Sequence, residues 1–586
     1  MSLSQFFTDM QKDGLCKNVS LQELATEHQL LNGTTPTLIF DCLNLDKVKY
    51  LLMDLSYTWN YDTLVKRMKD FVNQLRETSI EPTFYFKGNL QTSLKGFSKN
   101  KEYDDEQTVL DKLKSFRNKL ERKPQIYADR TISKHYLYFS YILKYECRCQ
   151  VIKLLTENMV IKLAKMAKDD ERCLGIFTVN SRYLIYDTKP IFNLAVSEFN
   201  SMITEMYDPK DFMRKLGLNR SQLFLLNCLQ TTKSENKLSN VANEEISDLE
   251  NTRKLIKENN WDWCERDIND ISKITGINKN LLRERMQNCG TSFTQDDDDD
   301  DDTRGHKFSQ LLNLIKEKYC VCEIPQKMYF LIKEKKYVEP INLADFVDES
   351  LPFSTVLYRR MRRKMYGLIF NEEHVNVDVF WCYSKVDIFC NISESSYYIK
   401  YNGDIPPLEQ LLSEEESLMP IRWKLFEYCL ETDIAADSTE NVKPHLLSFC
   451  CLVNYMLKHG VVLDKSELDA LIFQAILVSN NSDSYKDNVE LIPRYVHLSR
   501  LYEKGMSYLM LVSAVCGFPI SLEHFLHWKT FNINVFINVY NELLLGMEED
   551  VFCSQNNIDK SCVEEMRCLC LKNVERPNWC TKHRLF

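Results

Sequence analysis

Four residues that could hold a metal ion or a phosphate each follow a short apolar segment of the chain. These residues are Asp41, Lys87, Asn180 and Arg182. A carboxylate is a ligand for magnesium, whereas ammonium and guanidinium groups bind phosphate directly. One acid beside two cations therefore leaves two kinds of chemistry open, which are metal-assisted hydrolysis and metal-free binding of an anion.

The apolar segments before these residues predict buried strands of a sheet. They are Leu38–Phe40, Pro82–Phe86 and Leu174–Val179, and apolar residues at helical spacing separate the first two. We also predict a helix from about Glu146 to Lys168. Alternating strands and helices predict a parallel sheet covered by helices, in which ligands bind beyond the carboxyl ends of the strands. The four residues should therefore converge on one crevice.

Composition narrows the class of protein. The chain has 586 residues, a net charge of −10 and a hydrophobic fraction of 44%, which predicts two or three folded domains rather than disorder. An overall negative charge argues against a protein that coats nucleic acid, although a local basic groove remains compatible with it. We find no apolar run long enough for membrane insertion and no secretory signal at the start. The 21 scattered cysteines then favour reduced thiols and a location in the cytoplasm, the nucleus or both.

Several segments of the first half resemble the flap-endonuclease branch of PIN-like nucleases. Lys144–Cys149 is similar to the acidic Glu-x-Glu segment of that family, and Thr178–Leu184 is similar to its Thr-x-Asp-x-Asp segment. Leu218–Gln222, continuing to Lys233, resembles the entry to its helix-turn-helix. Phe86–Gly88 stands where the family has Phe-Asp-Gly. The resemblance implies an α/β PIN-like domain with a parallel sheet over about the first 235 residues.

Transferred residue by residue, the resemblance implies a degenerate catalytic site. Asp41 and Glu146 match acidic positions of the family, whereas five other positions have lost their carboxylates: Lys87, Arg148, Asn180, Arg182 and Lys233. A dication about 4 Å from a single like charge already meets a repulsion on the order of 4 kcal/mol per unit charge at an effective dielectric of 20. We therefore expect Asp41 and Glu146 to pair with these cations. The cations either stabilise the sheet as a salt-bridge cluster or bind phosphate.

The second half resembles a narrower family, the asteroid and constitutive-coactivator-of-PPAR-gamma-like proteins. The matching segments are Leu351–Gly367, Lys465–Ala470 and Ala514–Ile520. The resemblance implies a regulatory scaffold that associates with proteins or RNA, without nuclease activity and without a cofactor. Two alternatives stay open. One is a metal-dependent structure-specific nuclease that recruits Asp187 or Glu235, and the other is an adaptor that binds only proteins.

Two further groups of residues could bind a ligand. A dense basic run predicts either a nucleic-acid contact or a solvated helix face; it contains Arg359, Arg360, Arg362, Arg363 and Lys364. A Cys-x-Cys…Cys-x-x-His pattern near the end is compatible with zinc or with ordinary reduced cysteines; it contains Cys568, Cys570, Cys580 and His583.

The predicted organisation has three parts. A PIN-like domain spans residues 1–235, a charged segment spans 236–306, and a mainly helical domain spans 307–586. The charged segment contains seven consecutive aspartates, Asp296–Asp302, whose mutual repulsion predicts an exposed loop.

Overall fold

The structure is a computed structural model, and it divides into two compact units. The first unit holds the described residues of 10–43, 66–88 and 138–283, and the second holds those of 61–65, 90 and 306–575. The described residues are 10–11, 14–43, 61–88, 90, 138–156, 158–194, 201–235, 249–262, 265–275, 277–280, 282–283, 306–341, 343–371, 375–382, 388–397, 405–434, 442–480 and 489–575.

A seven-stranded, mostly parallel sheet is the centre of the first unit. Its strands lie in the order β1-β7-β6-β5-β2-β3-β4, and the five from β6 to β4 run parallel. The strands are β1 (Cys16–Ser20), β2 (Thr37–Asp41), β3 (Glu81–Lys87), β4 (Gln150–Leu154), β5 (Cys173–Thr178), β6 (Ile191–Asn193) and β7 (Ile203–Tyr207). The predicted parallel sheet is thereby confirmed.

The central strand β2 is apolar because both faces of the sheet are covered. Phe40 is buried and lies against the rings of Phe84 in β3 and Phe177 in β5, with ring centroids 4.7 and 5.0 Å apart. Phe40 pairs in register with both of these residues. This shared register brings the carboxyl ends of β2, β3 and β5 to the same edge of the sheet.

Helices with one apolar face cover this sheet. They are α1 (Leu21–Asn32), α2 (Tyr61–Glu77, of which Lys66–Glu77 belong to this unit), α3 (Met159–Asp169), α4 (Pro209–Leu216), α5 (Arg220–Glu235), α6 (Leu249–Glu258) and α7 (Glu265–Thr275). In α2, Met68, Phe71, Val72 and Leu75 recur at helical spacing and are buried.

Two sequence predictions about this unit need correction. The unit continues beyond residue 235, because Ile256, Trp261 and Ile268 are buried in its hydrophobic core. The predicted helix from Glu146 to Lys168 is wrong in its first half, which contains β4. The aspartate run, Asp296–Asp302, lies outside the described residues.

The second unit is mainly helical, as predicted, and also contains a three-stranded sheet. Its strands are β8 (Lys336–Pro340), β9 (Asn376–Cys382) and β10 (Ile388–Ser395). Its helices are α8 (His306–Cys320), α9 (Gln326–Glu334), α10 (Ser354–Leu357), α11 (Arg359–Phe370), α12 (Leu408–Leu411), α13 (Met419–Leu430), α14 (Pro444–Lys458), α15 (Lys465–Ser479), α16 (Pro493–Val515), α17 (Ile533–Leu544), α18 (Glu549–Gln555) and α19 (Lys560–Cys570).

Three of these helices, α14, α15 and α16, are buried over most of their length. Their sequences are apolar on more than one face, which is the pattern of a helix surrounded by others. Among the described residues, no helix of the chain is both long and apolar enough to cross a membrane.

Candidate functional site

Asp41 is the buried acid at the carboxyl end of β2. Its Oδ2 accepts hydrogen bonds from the hydroxyl groups of Thr178 and Tyr183, both at 3.0 Å, and its Oδ1 accepts one from the backbone N–H of Leu43 at 3.0 Å. Its exposed fraction is only 3%. A carboxylate offers about four acceptor positions. The protein's own donors therefore occupy three of them.

These donors are uncharged, which sets the electrostatics of the site. Burial raises the pKa of Asp41 above its ordinary value, and the hydrogen bonds from Leu43, Tyr183 and Thr178 act in the opposite direction without cancelling the effect. The expected pairing of Asp41 with cations is wrong among the described residues. A nearby guanidinium or ammonium group would instead have lowered the pKa.

The structure places Lys87, Asn180 and Arg182 at the same edge of the sheet as Asp41. Lys87 ends β3 and is exposed, and Asn180 and Arg182 follow β5. Asn180 Oδ1 accepts from the Arg182 backbone N–H at 3.1 Å, so it caps the short turn Ser181–Ile185. No ion pair involves Lys87 or Arg182 within the described part of the chain. We call Asp41, Lys87, Thr178, Asn180, Arg182 and Tyr183 the carboxyl-edge site.

Glu146 and Arg148 precede β4 and therefore lie at the opposite, amino edge of the parallel strands. Glu146 pairs with Lys69 of α2, at 2.9 Å between Nζ and Oε2. The Arg148 carbonyl accepts from Arg76 Nη2 at 3.2 Å, and the same guanidinium pairs with Glu81 at the start of β3. The structure thus separates Glu146 and Arg148 from Asp41. Glu146 ends a turn of π-helix, Ile142–Glu146, and Arg148 lies in the short connection from that turn to β4.

The corrected position of β4 brings different residues to the carboxyl edge. Leu154 ends the strand and pairs in register with Lys87. The next polar residues along the chain are Thr156, Glu157 and Asn158. The structure does not describe Glu157, but its place in the sequence makes it the acid to test beside Asp41. A strand prediction for Gln150–Leu154 could have found it.

Three further residues were considered from the sequence, and the structure describes the side chain of Asp187 alone among them. Asp187 pairs with two cations, Lys168 at 2.7 Å and Arg220 at 3.1 Å, so its charge is already compensated. Lys233 and Glu235 belong to the last turn of α5, and their side chains lie outside the described part of the structure.

Arg362, in the middle of the basic run, is buried in the second unit. Its Nε and Nη2 donate to both oxygens of Glu394, at 3.0 and 2.6 Å, and both side chains are at most 1% exposed. A further donor, Nη1, contacts the hydroxyl of Tyr508 at 3.0 Å. Burial opposes the charge of Arg362, but Glu394 raises the pKa of the guanidinium well above its ordinary value.

Most other members of the run also have partners within the protein. Arg359 lies 3.4 Å from Glu394, and the Arg363 guanidinium lies 3.9 Å from the ring of Tyr397. Lys364 pairs with Glu431 at 2.8 Å. Arg362 is too deeply buried to contact a nucleic acid, so the prediction is wrong for this residue. For Arg359, Arg363 and Lys364, whose charges have partners within the protein, a nucleic-acid contact stays a prediction.

Arg360 is the exception, since 60% of its side chain is exposed and its closest carboxylate oxygen, on Glu431, is 3.6 Å away.

Further buried charges continue this arrangement along α16. Lys504 Nζ lies 3.1 Å from a carboxylate oxygen of both Glu339 and Asp345, and it donates to the Ser354 hydroxyl at 2.8 Å. Burial alone would raise the pKa of Glu339, but the charges of Lys504, Lys327 and Arg362 lower it. We call Arg359, Arg362, Glu394, Glu339, Lys504 and Asp345 the buried ion network.

The cysteine pattern near the end of the chain is only partly described. Cys568 is exposed and Cys570 is buried on α19, whereas Cys580 and His583 lie outside the described residues. Within the described residues, no group of three or more His, Cys, Asp or Glu side chains is placed to hold a metal ion. Zinc binding by these four residues stays a prediction.

Comparison with curated proteins finds coactivators. The constitutive coactivator of peroxisome proliferator-activated receptor gamma is 25% identical in mouse, over 40% of this chain and 32% of that protein. The human protein is 24% identical, over 41% of this chain and 28% of the human protein. The constitutive coactivator of PPAR-gamma-like protein 1 homolog of Xenopus tropicalis is 27% identical, over 33% of this chain and 22% of that protein. The resemblance noted in the sequence is thereby confirmed. The match spans about a third or less of these relatives.

The other comparisons add little. No family model matches the chain. The solved structures that it resembles include the catalytic core of Rad2 in complex with a DNA substrate, at 15% identity and a TM-score of 0.28, over 56% of this chain and 98% of that one. Human GEN1 in complex with Holliday junction DNA is 11% identical, with a TM-score of 0.28, over 63% of this chain and 81% of GEN1 in that structure. The function must therefore be argued from this chain's own residues.

Proposed function

We propose that the chain is a nuclease-like scaffold without hydrolytic activity, which assembles protein partners in gene regulation and binds RNA at the carboxyl-edge site. The observation that carries this proposal is the enclosure of Asp41 by Thr178, Tyr183 and the Leu43 backbone. The printed names of the relatives, which are coactivators, support the regulatory part.

The side chains at the carboxyl-edge site do not fit the metal ions that a two-metal nuclease requires. Two divalent cations about 4 Å apart need several carboxylates and an open, hydrated position. Asp41 is the one carboxylate among the described residues of this site, and it is buried. The other described side chains of this site, those of Lys87, Thr178, Asn180, Arg182 and Tyr183, are cationic or uncharged. The donor set therefore favours a site that does not assemble a metal pair.

The same edge suits a phosphate group. Lys87 is exposed, and Arg182 has no carboxylate partner among the described residues, so both can face a ligand. A guanidinium binds a phosphate through two parallel hydrogen bonds, and an ammonium binds it as a point charge. These two residues would hold the RNA backbone without reading its bases.

A nuclease assay tests the absence of hydrolysis. The full chain is incubated with labelled flap DNA and single-stranded RNA in magnesium or manganese, beside the variants Asp41→Asn and Glu157→Gln. We expect no metal-dependent product from any of the three proteins. Cleavage by the wild-type chain that either variant abolishes would establish the alternative, a metal-dependent nuclease.

RNA binding is tested through charge and salt. The double variant Lys87→Gln/Arg182→Gln should weaken the affinity for single-stranded RNA and lower the slope of log K against log salt by about 1.4, at roughly 0.7 per lost phosphate contact. Arg360→Gln is the matched control, since it removes an exposed cation of the second unit. An unchanged slope in the double variant removes RNA from the carboxyl-edge site.

The inward pairing of the basic run favours a second candidate, an adaptor that binds only proteins. Arg362 and Lys364, which the sequence offered to nucleic acid, are engaged with Glu394 and Glu431. Absence of any salt-dependent RNA binding by the full chain would select this candidate. Partners of such an adaptor should remain bound after the complex is treated with ribonuclease.

A further inference from the structure

Arg422, in the first turns of α13, is a buried cation without a carboxylate partner among the described residues. Its residue is only 5% exposed. Nη2 donates to the carbonyl of Ser413 at 2.6 Å, Nη1 lies 3.6 Å from the sulfur of Met419, and Nε has no hydrogen-bond partner among the described residues. An uncompensated charge inside a protein is costly. This guanidinium therefore has unused capacity for an anion.

The backbone around this guanidinium holds it in place. A Cβ atom at Gly517 would stand 2.9 Å from Arg422 Nε and 2.1 Å from the carbonyl oxygen of Leu411, so a side chain at residue 517 would clash. Gly517 also has a φ of +79°, which favours glycine. The guanidinium is thus confined between this backbone and the loop that follows α12.

That loop presents a hydroxyl group to solvent within a run of acids. Ser413 is exposed and is followed by Glu414, Glu415 and Glu416, all of them exposed. Its Oγ donates to the carbonyl of Gln410 at 2.7 Å, a bond that ties it to no distant part of the protein. Three carboxylates directly after a serine are complementary to a protein kinase with a basic peptide-binding groove.

We propose that Ser413 is a phosphorylation site and that Arg422 binds the phosphate. The Ser413 oxygen attacks the γ-phosphorus of ATP, the bond to the β,γ-bridging oxygen breaks, and ADP leaves. The hydroxyl proton passes to the base of the kinase. The product carries a charge of about −1.5 to −2 at pH 7, on the residue whose carbonyl already accepts from Arg422.

The phosphate would compensate the buried charge that lacks a carboxylate partner. The Ser413 hydroxyl and carbonyl oxygens are linked only through Cβ, Cα and the carbonyl carbon, so a phosphate on Oγ can reach the same guanidinium. A phosphate–guanidinium pair is a strong, charge-assisted contact. Modification would therefore fasten the loop 412–418 to the start of α13, despite the repulsion from the three glutamates.

The first experiment locates the modification. The full chain is treated with ATP and a recombinant serine kinase selective for acidic substrates, and the phosphorylated residues are mapped by mass spectrometry. We expect phosphate on Ser413, its loss in Ser413→Ala, and its retention in Ser417→Ala, which removes the other exposed serine of the loop. A chain that stays unmodified at Ser413 overturns the proposal.

The second experiment tests the partner. Phosphoserine is incorporated at residue 413 of the full chain, and its second pKa is measured by ³¹P NMR. The matched control is the phosphopeptide Leu408–Pro420, which has the same glutamates but lacks Arg422. We expect the pKa in the protein to lie roughly half a unit or more below that in the peptide.

Two outcomes of this titration are decisive. Arg422→Gln, if it folds, should bring the pKa of the phosphate in the protein back to that in the peptide. Equal pKa values in the wild-type protein and the peptide would show that Arg422 does not bind the phosphate. That comparison needs no arginine variant, so it stands even where Arg422→Gln fails to fold.

Discussion

The carboxyl-edge site and the buried ion network handle charge in opposite ways. At the carboxyl-edge site, the acid Asp41 is buried among uncharged donors, and the cations Lys87 and Arg182 have no ion-pair partner within the described residues. In the buried ion network, acids and bases are enclosed together, as Arg362 and Glu394 show. The first arrangement leaves cations for a ligand, and the second leaves almost none.

This difference shows that the density of charge in a sequence does not locate a binding surface. Most cations of the basic run Arg359–Lys364 are paired within the protein. A buried carboxylate such as Glu394 needs cations nearby, because an unpaired buried charge is costly. The two cations at the sheet edge are isolated in sequence and stand next to uncharged residues. They are the better candidates for contact with an external anion.

The largest effect should come from breaking the buried ion network. Arg362→Met leaves Glu394 buried with Arg359 as its one ion-pair partner among the described residues. We therefore expect the free energy of unfolding to fall by roughly 3–5 kcal/mol. Arg360→Met, the exposed neighbour, should change it by less than about 0.5 kcal/mol. Urea unfolding measures both, with Trp381 and Trp528 as buried fluorescent reporters in this unit.

The double variant Arg362→Met/Glu394→Leu is the control for this first prediction, since it removes both charges and should recover part of the lost stability. A single variant as stable as the wild-type chain would mean that Glu394 is not held as an ion there.

A smaller effect should follow at the carboxyl-edge site. Tyr183→Phe removes one hydroxyl donor from the carboxylate of Asp41, and we expect a loss of about 1.5–3 kcal/mol in the free energy of unfolding. The same substitution in an Asp41→Asn background should cost less, because the charged acceptor is gone. A double-mutant cycle measures both costs. Equal costs in the two backgrounds would show that Tyr183 and Asp41 do not interact energetically.

The pH dependence of stability tests the uncharged surroundings of Asp41. Because burial raises the pKa of Asp41, its contribution to stability is present below the ordinary value of 3.8 and is lost as the pH rises through the folded value. The free energy of unfolding of Asp41→Asn, relative to that of the wild-type chain, should therefore increase as the pH rises above about 4 and should then level off. The total increase should be about 1.4 kcal/mol for each unit by which the pKa of Asp41 is raised. A difference that decreases with pH would reveal a cationic partner.

The smallest effect on stability should come from the cations of the sheet edge. Lys87→Gln and Arg182→Gln should each change the free energy of unfolding by no more than about 0.5 kcal/mol, since neither has an ion pair among the described residues. Thermal unfolding followed by circular dichroism is the measurement. A decrease in the free energy of unfolding as large as that of Arg362→Met would show that these cations are paired within the protein, like those of the buried ion network.

The sequence was most informative where the pattern is local. The apolar segment ending at Asp41 and the segments before Lys87 and Asn180 are short and bounded by polar residues, and each is a parallel strand. Their common direction follows from the alternation with helices. The placement of Asp41, Lys87, Asn180 and Arg182 on one edge needed no more than this.

The sequence was least informative where the partners are distant or the pattern is short. The resemblance of Lys144–Cys149 to an acidic helix placed Glu146 and Arg148 in a helix, whereas β4 begins at Gln150, two residues after Arg148. The partners of Arg362 come from far along the chain, since Glu394 is 32 residues away and Tyr508 is 146 residues away. Only the packing of α11 against α16 and the small sheet reveals them.

Four polar side chains of helix α16 lie in a row along one side of the helix. They are His497, Arg500, Lys504 and Tyr508, which recur every three or four residues and contact oxygen atoms on the segment from Glu339 to Ser354. Most residues of the helix are buried. Adding or deleting one residue would rotate the part of the helix beyond that point by about 100°. The polar side chains there would lose their oxygen partners inside the protein, which is costly. These four polar contacts therefore fix the rotation of α16 about its own axis.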